Sequence, residues 1–250
     1  MMKKALIIFG SVIAVLILFA AGYFLVMKHE MKKMHTVETG QVTDHIYALK
    51  DSFVNAYIIG SGDSGYVMID AGNKIETIKA ALSMLNIDPA KVKAVFLTHS
   101  DGDHVKALPL FPHAEVYLSR QEEQMINGET SRFFVFGNKI SRKDYQLLDD
   151  GRVIDFPGIT IKGILSPGHT PGAMCYLVNQ KYLFTGDVLS LKNGKVDEFS
   201  KFINMDTKTD RKSIDRLSHL QGAEYIFTGH HGYSNDFEAA FKDWKESSQQ

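Results

Sequence analysis

The sequence is poor in cysteine, because Cys175 is the only one among 250 residues. A single cysteine excludes a disulfide within the chain, so disulfide content gives no information about the cellular compartment. Cys175 lies in the apolar run at residues 173–178, which is typical of a buried strand. We therefore expect an unreactive buried thiol at this position and not a catalytic nucleophile.

The chain also lacks an excess of charge of either sign. Its 28 Lys and Arg residues nearly balance its 29 Asp and Glu residues, which gives a net charge of −1. Proteins that bind nucleic acid usually present a strongly basic surface. The composition therefore predicts no nucleic-acid partner, and no sequence feature indicates a protein partner.

One long apolar segment lies near the N-terminus. Residues 5–27 carry no charge and are rich in Ile, Leu, Val, Phe and Ala. A helix rises by about 1.5 Å per residue, so this segment is long enough to cross the hydrocarbon core of a membrane. We predict a transmembrane helix. The alternatives are a cleaved signal peptide, with Ala20, Ala21 and Gly22 as its small-residue site, and a buried core helix.

The length of the chain leaves room for one compact domain after this segment. We expect an anchor at residues 1–28, a polar juxtamembrane stalk at 29–40 and the domain at 41–250. Basic residues flank both ends of the apolar segment and do not fix its orientation; they are Lys3, Lys4, Lys28, Lys32 and Lys33. We predict a single-pass protein of the cell membrane, with its N-terminus in the cytoplasm and its domain outside.

Strand-like runs and helix-like runs alternate in the predicted domain at 41–250. Strands are predicted at residues 43–49, 53–59, 66–69, 94–97, 153–156, 159–165, 175–178, 182–184 and 225–227, and helices at 74–85, 212–220 and 237–244. Each half of the domain has strands followed by helices, which predicts two sheets packed together with helices outside. Residues 120–150 are polar around an apolar cluster at 133–136. They are interpreted as a substrate-facing insertion or as a helical excursion packed on the core.

The predicted strand at 94–97 leads into a short segment that is dense in metal-binding side chains. Residues 99–104 read His-Ser-Asp-Gly-Asp-His, so His99, Asp101, Asp103 and His104 offer four ligands within six positions. Imidazole and carboxylate together suit zinc, iron or manganese. The alternative is a polar surface turn that starts a helix, with Asp103 as its N-cap.

Three later segments place further ligands at strand ends or in tight turns. His169 lies in Pro-Gly-His-Thr-Pro-Gly, Asp187 ends Thr-Gly-Asp, and Thr-Gly-His-His-Gly carries His230 and His231. Each segment alone is an ordinary turn pattern. Their order along the chain, together with the motif at 99–104, resembles the metallo-β-lactamase superfamily from about residue 41 onwards. The segment Met-Ile-Asp-Ala-Gly, which contains Asp70, resembles an early strand of the same family that ends in Asp and Gly.

The resemblance implies a fold, a ligand set and a chemistry. The fold is an α/β (α+β) four-layer αββα sandwich of two mixed sheets flanked by helices, here preceded by one N-terminal transmembrane helix. The implied ligands are His99, Asp101 and His169 for one ion, and Asp103, His104 and His230 for the other, with Asp187 bridging both. Asp70 is implied as an orienting residue, and His231 as an alternative ligand or a substrate contact. The implied cofactors are two divalent metal ions, with zinc preferred.

Asp101 departs from the family pattern. The family most often reads HxHxDH, whereas this chain reads HxDxDH. A carboxylate is a harder ligand than imidazole, so iron or manganese are open alternatives to zinc at this site.

No GxSxG nucleophile motif is present in the sequence. The resemblance implies a hydrolase that uses a metal-bound hydroxide, with Asp103 as the catalytic residue that orients it. The predicted target is an ester, thioester, amide (lactam-like) or phosphoester bond of a small molecule. An iron- or manganese-dependent oxidoreductase and a non-catalytic metal-binding module are the alternatives.

Overall fold

The computed structural model of the chain describes residues 2–132 and 137–248, which divide into two compact units, Met1–His35 and Thr36–Gln250. The first unit consists of helix α1 (Met2–Met31). Its part Phe9–Met31 has a mean hydropathy of 2.4 and is long and apolar enough to cross a membrane. The helix contains the predicted apolar segment and extends beyond it at both ends. The apolar cluster at 133–136 lies outside the described residues.

A seven-stranded mixed sheet begins the second unit. Its strands lie side by side in chain order: β1 (Gly40–Thr43), β2 (Ile46–Asp51), β3 (Val54–Gly60), β4 (Tyr66–Ile69), β5 (Val92–Phe96), β6 (Glu115–Ser119) and β7 (Tyr145–Leu148). The strands from β1 to β4 pair antiparallel, and those from β4 to β7 pair parallel. Helix α2 (Ile75–Met84) makes the crossover from β4 to β5. Two short helices follow, α3 (Gly102–Val105) and α4 (Glu123–Asn127).

The second half of the unit forms a six-stranded sheet. Its chain segments are β8 (Val153–Phe156), β9 (Ile159–Leu165), β10 (Met174–Val178), β11 (Tyr182–Gly186), β14 (Tyr225–Thr228) and β15 (Tyr233–Ser234), in the order β15-β14-β11-β10-β9-β8. Only β11 and β14 are parallel neighbours among these pairs of described strands. Strands β12 (Leu189–Lys192) and β13 (Lys195–Glu198) form a separate hairpin, and helices α5 (Thr207–Ser218) and α6 (Phe237–Ser248) follow.

Alternate side chains of each sheet contact two different apolar clusters. In β3, Ile58 packs with α2, while Tyr57 packs in the cluster that both sheets share. In β10, Tyr176 lies in the shared cluster, while Cys175 packs with residues of α5 and α6. This alternation buries both faces of both sheets and produces four layers. The predicted αββα fold class is therefore confirmed, and Cys175 is buried as expected, with a pKa that burial raises to about 12.

The predicted strands at 66–69, 153–156 and 159–165 coincide with β4, β8 and β9. The sequence interpretation did not include β6, β7 or the β12–β13 hairpin. The segment 120–150 contains the short helix α4 and strand β7, which pairs in parallel with β6. That segment is thus partly an edge of the first sheet.

Candidate metal centre

The seven predicted ligands lie on four connections, one of which includes helix α3, and each connection follows the C-terminal end of a strand. The loop after β5 carries the ligands of the 99–104 motif. His169 follows β9, Asp187 follows β11, and His230 follows β14. Because β9, β11 and β14 all run in the same direction, their C-terminal ends lie at one edge of the second sheet. The fold thereby brings residues that are distant in sequence into one cavity.

Two clusters of ligand atoms occupy this cavity. His99, His169 and Asp187 form the first cluster, and Asp103, His104 and His230 form the second; within each cluster the ligand atoms lie within 4.8 Å of one another. The Nε2 atoms of His104 and His230 are 3.4 Å apart, and His230 Nε2 is 3.4 Å from Asp103 Oδ2. These distances leave a space of ionic size between the side chains.

Asp187 lies between the two clusters. Its Oδ2 is 3.6 Å from His169 Nε2 and 3.9 Å from His99 Nε2 in the first cluster. The same oxygen is 3.1 Å from His230 Nε2, and Oδ1 is 3.4 Å from His104 Nε2. One carboxylate therefore faces all four imidazoles, which is the position that a bridging ligand requires.

Each of the four imidazoles is held from outside the cavity through its Nδ1 atom. The partners are Thr98 Oγ1 for His99 at 3.0 Å, Asp70 Oδ2 for His104 at 2.8 Å, Asn204 Oδ1 for His169 at 3.1 Å, and the Phe53 carbonyl for His230 at 2.6 Å. When Nδ1 donates to an acceptor, the lone pair resides on Nε2. In the neutral form of each ring, Nε2 therefore directs its lone pair into the cavity, where a metal ion would use it.

Asp70 contacts both a ligand and the loop that carries it. Besides its bond with His104, its Oδ1 accepts hydrogen bonds from the backbone N–H of Thr98 at 2.8 Å and from the Thr98 hydroxyl at 3.0 Å. Asp70 has a φ of +56°, a conformation that non-glycine residues rarely adopt. Such backbone strain persists where surrounding contacts hold it, and it is common at functional sites.

Asp101 lies beside the first cluster but interacts with two residues outside it. Its Oδ2 is 3.2 Å from His169 Nε2 and accepts a hydrogen bond from Arg132 Nη2 at 2.7 Å. Its Oδ1 accepts from Asn138 Nδ2 at 2.8 Å. Asp101, and not Asp103, is the N-cap residue of α3, and its side chain makes no capping hydrogen bond.

His231 belongs to neither cluster of ligand atoms. The second cluster contains His230 and not His231. The backbone N–H of His231 donates to Thr228 Oγ1 at 2.8 Å, and its ring packs edge-on against Phe199 with 5.6 Å between ring centroids. Phe199 also packs against the rings of His169 and His230.

The charges in the cavity are strongly coupled. Burial raises the pKa of the Asp187 carboxyl, but His230 and His104 outweigh this effect and hold the pKa well below its usual range. Burial lowers the pKa of His104, but Asp187, Asp70 and Asp103 together raise it well above its usual value. The cavity therefore holds an excess of ionised carboxylates that attracts positive charge, either as protons or as a cation.

The geometry and the unsatisfied atoms of the cavity fit a divalent metal ion. Zinc binds nitrogen and oxygen ligands at about 2.0–2.2 Å, so tetrahedral ligand atoms lie about 3.3–3.6 Å apart. The separations of 3.1–3.9 Å around Asp187 bracket this value. His99 Nε2 and Asp187 Oδ1 are buried and lack a hydrogen-bond partner among the described residues. Buried polar atoms of this kind usually have a partner, and a bound cation would supply it.

A comparison with protein families agrees with this geometry. The family model described as the metallo-beta-lactamase superfamily matches residues 49–230. The chain belongs to the metallo-beta-lactamase superfamily. The matched range includes the motif at 99–104 and extends to His230.

Individual relatives within the superfamily are distant. The chain is 33% identical over 159 residues to the probable polyketide biosynthesis zinc-dependent hydrolase BaeB of Bacillus velezensis, with 62% of each protein covered. It is 25% identical over 164 residues to an atrochrysone carboxyl ACP thioesterase of Pseudocercospora fijiensis, covering 63% of this chain and 44% of that protein. The match thus spans about half the length of these relatives.

A solved structure shows the same fold. The metallo-beta-lactamase family protein from Thermus thermophilus superposes with a TM-score of 0.61 at 20% identity, covering 84% of this chain and 81% of that one. At this level of identity the likeness concerns the fold alone.

Glu122 is a buried residue that the sequence interpretation missed, and it joins two loops of this superfamily member. One of its carboxylate oxygens accepts from the backbone N–H and hydroxyl of Ser100, and the other accepts from the Thr170 hydroxyl. Burial raises its pKa, while these hydrogen bonds oppose the shift. Glu122 thus ties the motif loop to the loop that carries His169. No local signal marked it, because it lies in a polar segment without periodicity.

Asn204 and Asp210 were also missed. Asn204 accepts from His169 Nδ1 and donates from Nδ2 to Asp210 Oδ2 at 2.8 Å. Gly168 has a φ of +144°, and a Cβ there would lie 2.3 Å from the Asp210 Cα. Only glycine therefore permits this close approach of helix α5 to the His169 loop.

Proposed function

We propose that the chain is a metal-dependent hydrolase that cleaves an ester, thioester, amide (lactam-like) or phosphoester bond of a small molecule. The observation that carries the proposal is the arrangement of the four imidazoles: each is anchored through Nδ1, and each directs Nε2 towards the shared Asp187 carboxylate. A purely structural cluster would have no need to direct four Nε2 atoms at one carboxylate. The named hydrolase and thioesterase relatives support the same reaction class.

The proposed cofactors are two divalent ions, with zinc preferred because a relative is named zinc-dependent. His99, His169 and Asp187, with Asp101 beside them, would hold one ion, and Asp103, His104 and His230 would hold the other. Bound divalent ions supply Lewis acidity, which polarises a substrate oxygen and makes a coordinated water acidic near neutral pH. Every proposed ligand is either buried or partly buried, so the site limits competition from bulk water.

Asp103 is the proposed catalytic residue. It is the ligand of the second cluster that is open to solvent, with a side chain 22% exposed, whereas His104 and His230 are almost completely buried. Its Oδ2 is 3.8 Å from His104 Nε2 and 3.4 Å from His230 Nε2. A carboxylate at this boundary can orient an attacking water molecule and hold its proton.

The experiment is an assay of the full chain, solubilised in detergent, against thioester, ester, lactam and phosphoester substrates. Metal is removed with a chelator and then restored as zinc, manganese or iron in parallel. We expect hydrolysis of at least one substrate class with restored metal, and loss of turnover in Asp103→Asn. Asp63→Asn, an exposed carboxylate on another loop, is the control and should retain full activity.

Three results would contradict the proposal. One is full turnover of Asp103→Asn at normal metal content, which removes the catalytic assignment. Another is near-stoichiometric iron in protein purified without added metal, accompanied by oxygen consumption, which favours an oxidoreductase. The third is absence of any bound metal, which would exclude both activities.

We further propose that residues 1–28 anchor the protein in the cell membrane, that residues 29–40 form a juxtamembrane stalk, and that the catalytic domain at 41–250 is on the extracytoplasmic side. The length and hydropathy of Phe9–Met31 support the anchor. Retention of the chain in membranes washed with alkaline carbonate, and digestion of the domain by protease added outside intact cells, are the expected results. Release by carbonate or protection from protease would contradict the anchor and the orientation, respectively.

A further inference from the structure

Arg132 places a positive charge against the first cluster of ligands. Its Nη2 is 2.7 Å from Asp101 Oδ2 and 3.4 Å from His169 Nε2. The guanidinium is held there, because Nη1 donates to the Ile203 carbonyl and Nη2 also faces the His169 carbonyl at 3.4 Å. The side chain is only 16% exposed. The charge is therefore part of the cavity wall and not a mobile surface group.

Arg132 uses the same atoms that a metal ion in the first site would need. The imidazole Nε2 of His169 carries the lone pair that faces the cavity, and Asp101 Oδ2 is the carboxylate oxygen nearest to it. The other oxygen of Asp101 is already occupied by Asn138. The guanidinium thus occupies the position from which a metal ion in the first site would bind Asp101 and His169. Its positive charge neutralises the Asp101 carboxylate before any ion binds.

In the part of the chain that the structure describes, no arginine or lysine forms an ion pair with a ligand of the second cluster. Among the described residues, the ion pairs of Asp103 involve only His104 and His230. The two sites therefore differ in net charge although each has three candidate ligands. Histidine can lose its proton when a metal ion binds, whereas arginine stays charged. A site whose carboxylate is paired only with histidines therefore attracts a dication more strongly than a site whose carboxylate is neutralised by an arginine.

We propose that Arg132 is a built-in cation that competes with the metal ion of the first site, so that the second site fills first and the first site binds more weakly. This inference rests on the proposed metal-dependent function. Filling of the first site then requires the guanidinium to move away from Asp101 Oδ2 and His169 Nε2. The competition would make the enzyme mononuclear when metal is scarce and binuclear when it is abundant.

The test is a calorimetric titration of the metal-free full chain, in detergent, with zinc. We expect two binding steps in the wild-type chain. The tight step should persist in His169→Ala and vanish in His230→Ala, which assigns it to the second site. Arg132→Gln should tighten the weak step by at least about tenfold. The repulsion between the guanidinium and a nearby metal ion costs at least the corresponding free energy of about 1.4 kcal/mol at short range.

Arg142→Gln is the matched control. Arg142 is likewise about 17% exposed, pairs with a carboxylate at 2.6 Å and donates to the Phe111 carbonyl, but it pairs with Asp144 and not with a proposed ligand. We expect both binding steps to be unchanged in this variant. A weak step that Arg132→Gln leaves unaltered, or weakens, would overturn the inference while leaving the proposed function intact. A wild-type chain that binds no zinc would overturn both.

A second measurement on the wild-type chain is independent of how the variant folds. Phenylglyoxal modifies accessible arginines, and peptide mass spectrometry reports the extent at each position. We expect slow modification of Arg132 in the metal-free chain and after one equivalent of zinc, and faster modification at saturating zinc. Arg142 serves as the internal reference. Identical modification of Arg132 at all zinc concentrations would count against displacement of its guanidinium.

Discussion

The substitution Asp70→Asn tests whether the outer hydrogen bonds of the histidines determine metal binding. Asp70 accepts from Thr98 N–H with Oδ1 and from His104 Nδ1 with Oδ2, both at 2.8 Å. An asparagine has the same shape but only one acceptor oxygen. If its NH₂ group faces His104, Nδ1 has to accept, and the imidazole proton moves to Nε2, where it blocks metal binding. If the NH₂ group faces Thr98 instead, it meets the backbone N–H of Thr98, and two donors are opposed.

The expected size of the effect follows from the burial of the pair. Asp70 is 2% exposed and His104 is fully buried, so water has no access to replace the lost hydrogen bond. Loss of an outer partner of a ligating histidine usually weakens metal affinity by about 10- to 100-fold, or about 1.4–2.7 kcal/mol. We expect the upper part of this range, because one orientation of the asparagine puts the proton of His104 on Nε2 and the other leaves two buried donors facing each other.

The assay is competition for zinc between the full chain and a chromophoric chelator. Asp51→Asn is the control, because Asp51 is also fully buried and its Oδ2 accepts from the backbone N–H groups of Asn73 and Lys74 without touching a histidine. We expect weaker zinc binding in Asp70→Asn and normal binding in Asp51→Asn. Equal zinc affinity of the two variants and the wild type would refute the reasoning about the His104 tautomer.

Two further predictions concern residues next to the ligands. Burial raises the pKa of Asp210 to about 8, so between pH 4 and 8 the folded chain holds a proton that the unfolded chain releases. Stability should therefore fall as pH rises, by at most about 1.4 kcal/mol per pH unit. The free energy of unfolding in urea should depend less on pH in Asp210→Asn than in the wild type. An equal pH dependence of the two would contradict the raised pKa of Asp210. In Gly229→Ala, the added Cβ would lie 2.6 Å from Asp187 Oδ1 and 2.9 Å from His104 Cε1. We expect this variant to bind fewer zinc ions per chain by elemental analysis, whereas Gly60→Ala, with no contact closer than 3.8 Å, should bind the wild-type number.

The layered fold was predictable because strand and helix periodicities are local signals. Strands β4, β8 and β9 were found at their observed bounds, since each is a short β-rich run that ends at a turn or polar residue. The β12–β13 hairpin was missed although a signal existed. Asn193 and Gly194 both have positive φ, at 52° and 74°, which is the turn that an Asn-Gly pair favours. The missed parallel strands β6 and β7 lack an equally clear boundary in the sequence.

The positions of the candidate ligand loops were likewise predictable, but their outer partners, apart from Asp70, were not. Each ligand lies in a short local motif, so its residue type and spacing carry information. Arg132 and Asn138 contact Asp101 across 31 and 37 residues, respectively, from a segment without helical or strand periodicity. The partner of His230 is a backbone carbonyl, that of Phe53, at a separation of 177 residues. A backbone acceptor has no sequence signature, and only the packed fold identifies it.

The candidate centre depends on how the two sheets pack, because its ligands come from both. Two buried tyrosines cross between the sheets at the edge that carries the ligand loops. Tyr57 of β3 donates to the Thr228 carbonyl at the end of β14 at 2.8 Å, and Tyr176 of β10 donates to the Leu97 carbonyl after β5 at 2.7 Å. Burial raises the pKa of both hydroxyls, so each remains a donor at neutral pH. These reciprocal hydrogen bonds set the distance between the loop with His99 and the loop with His230. Core packing and ligand geometry are therefore one structural feature, and a substitution in the shared apolar cluster should disturb both.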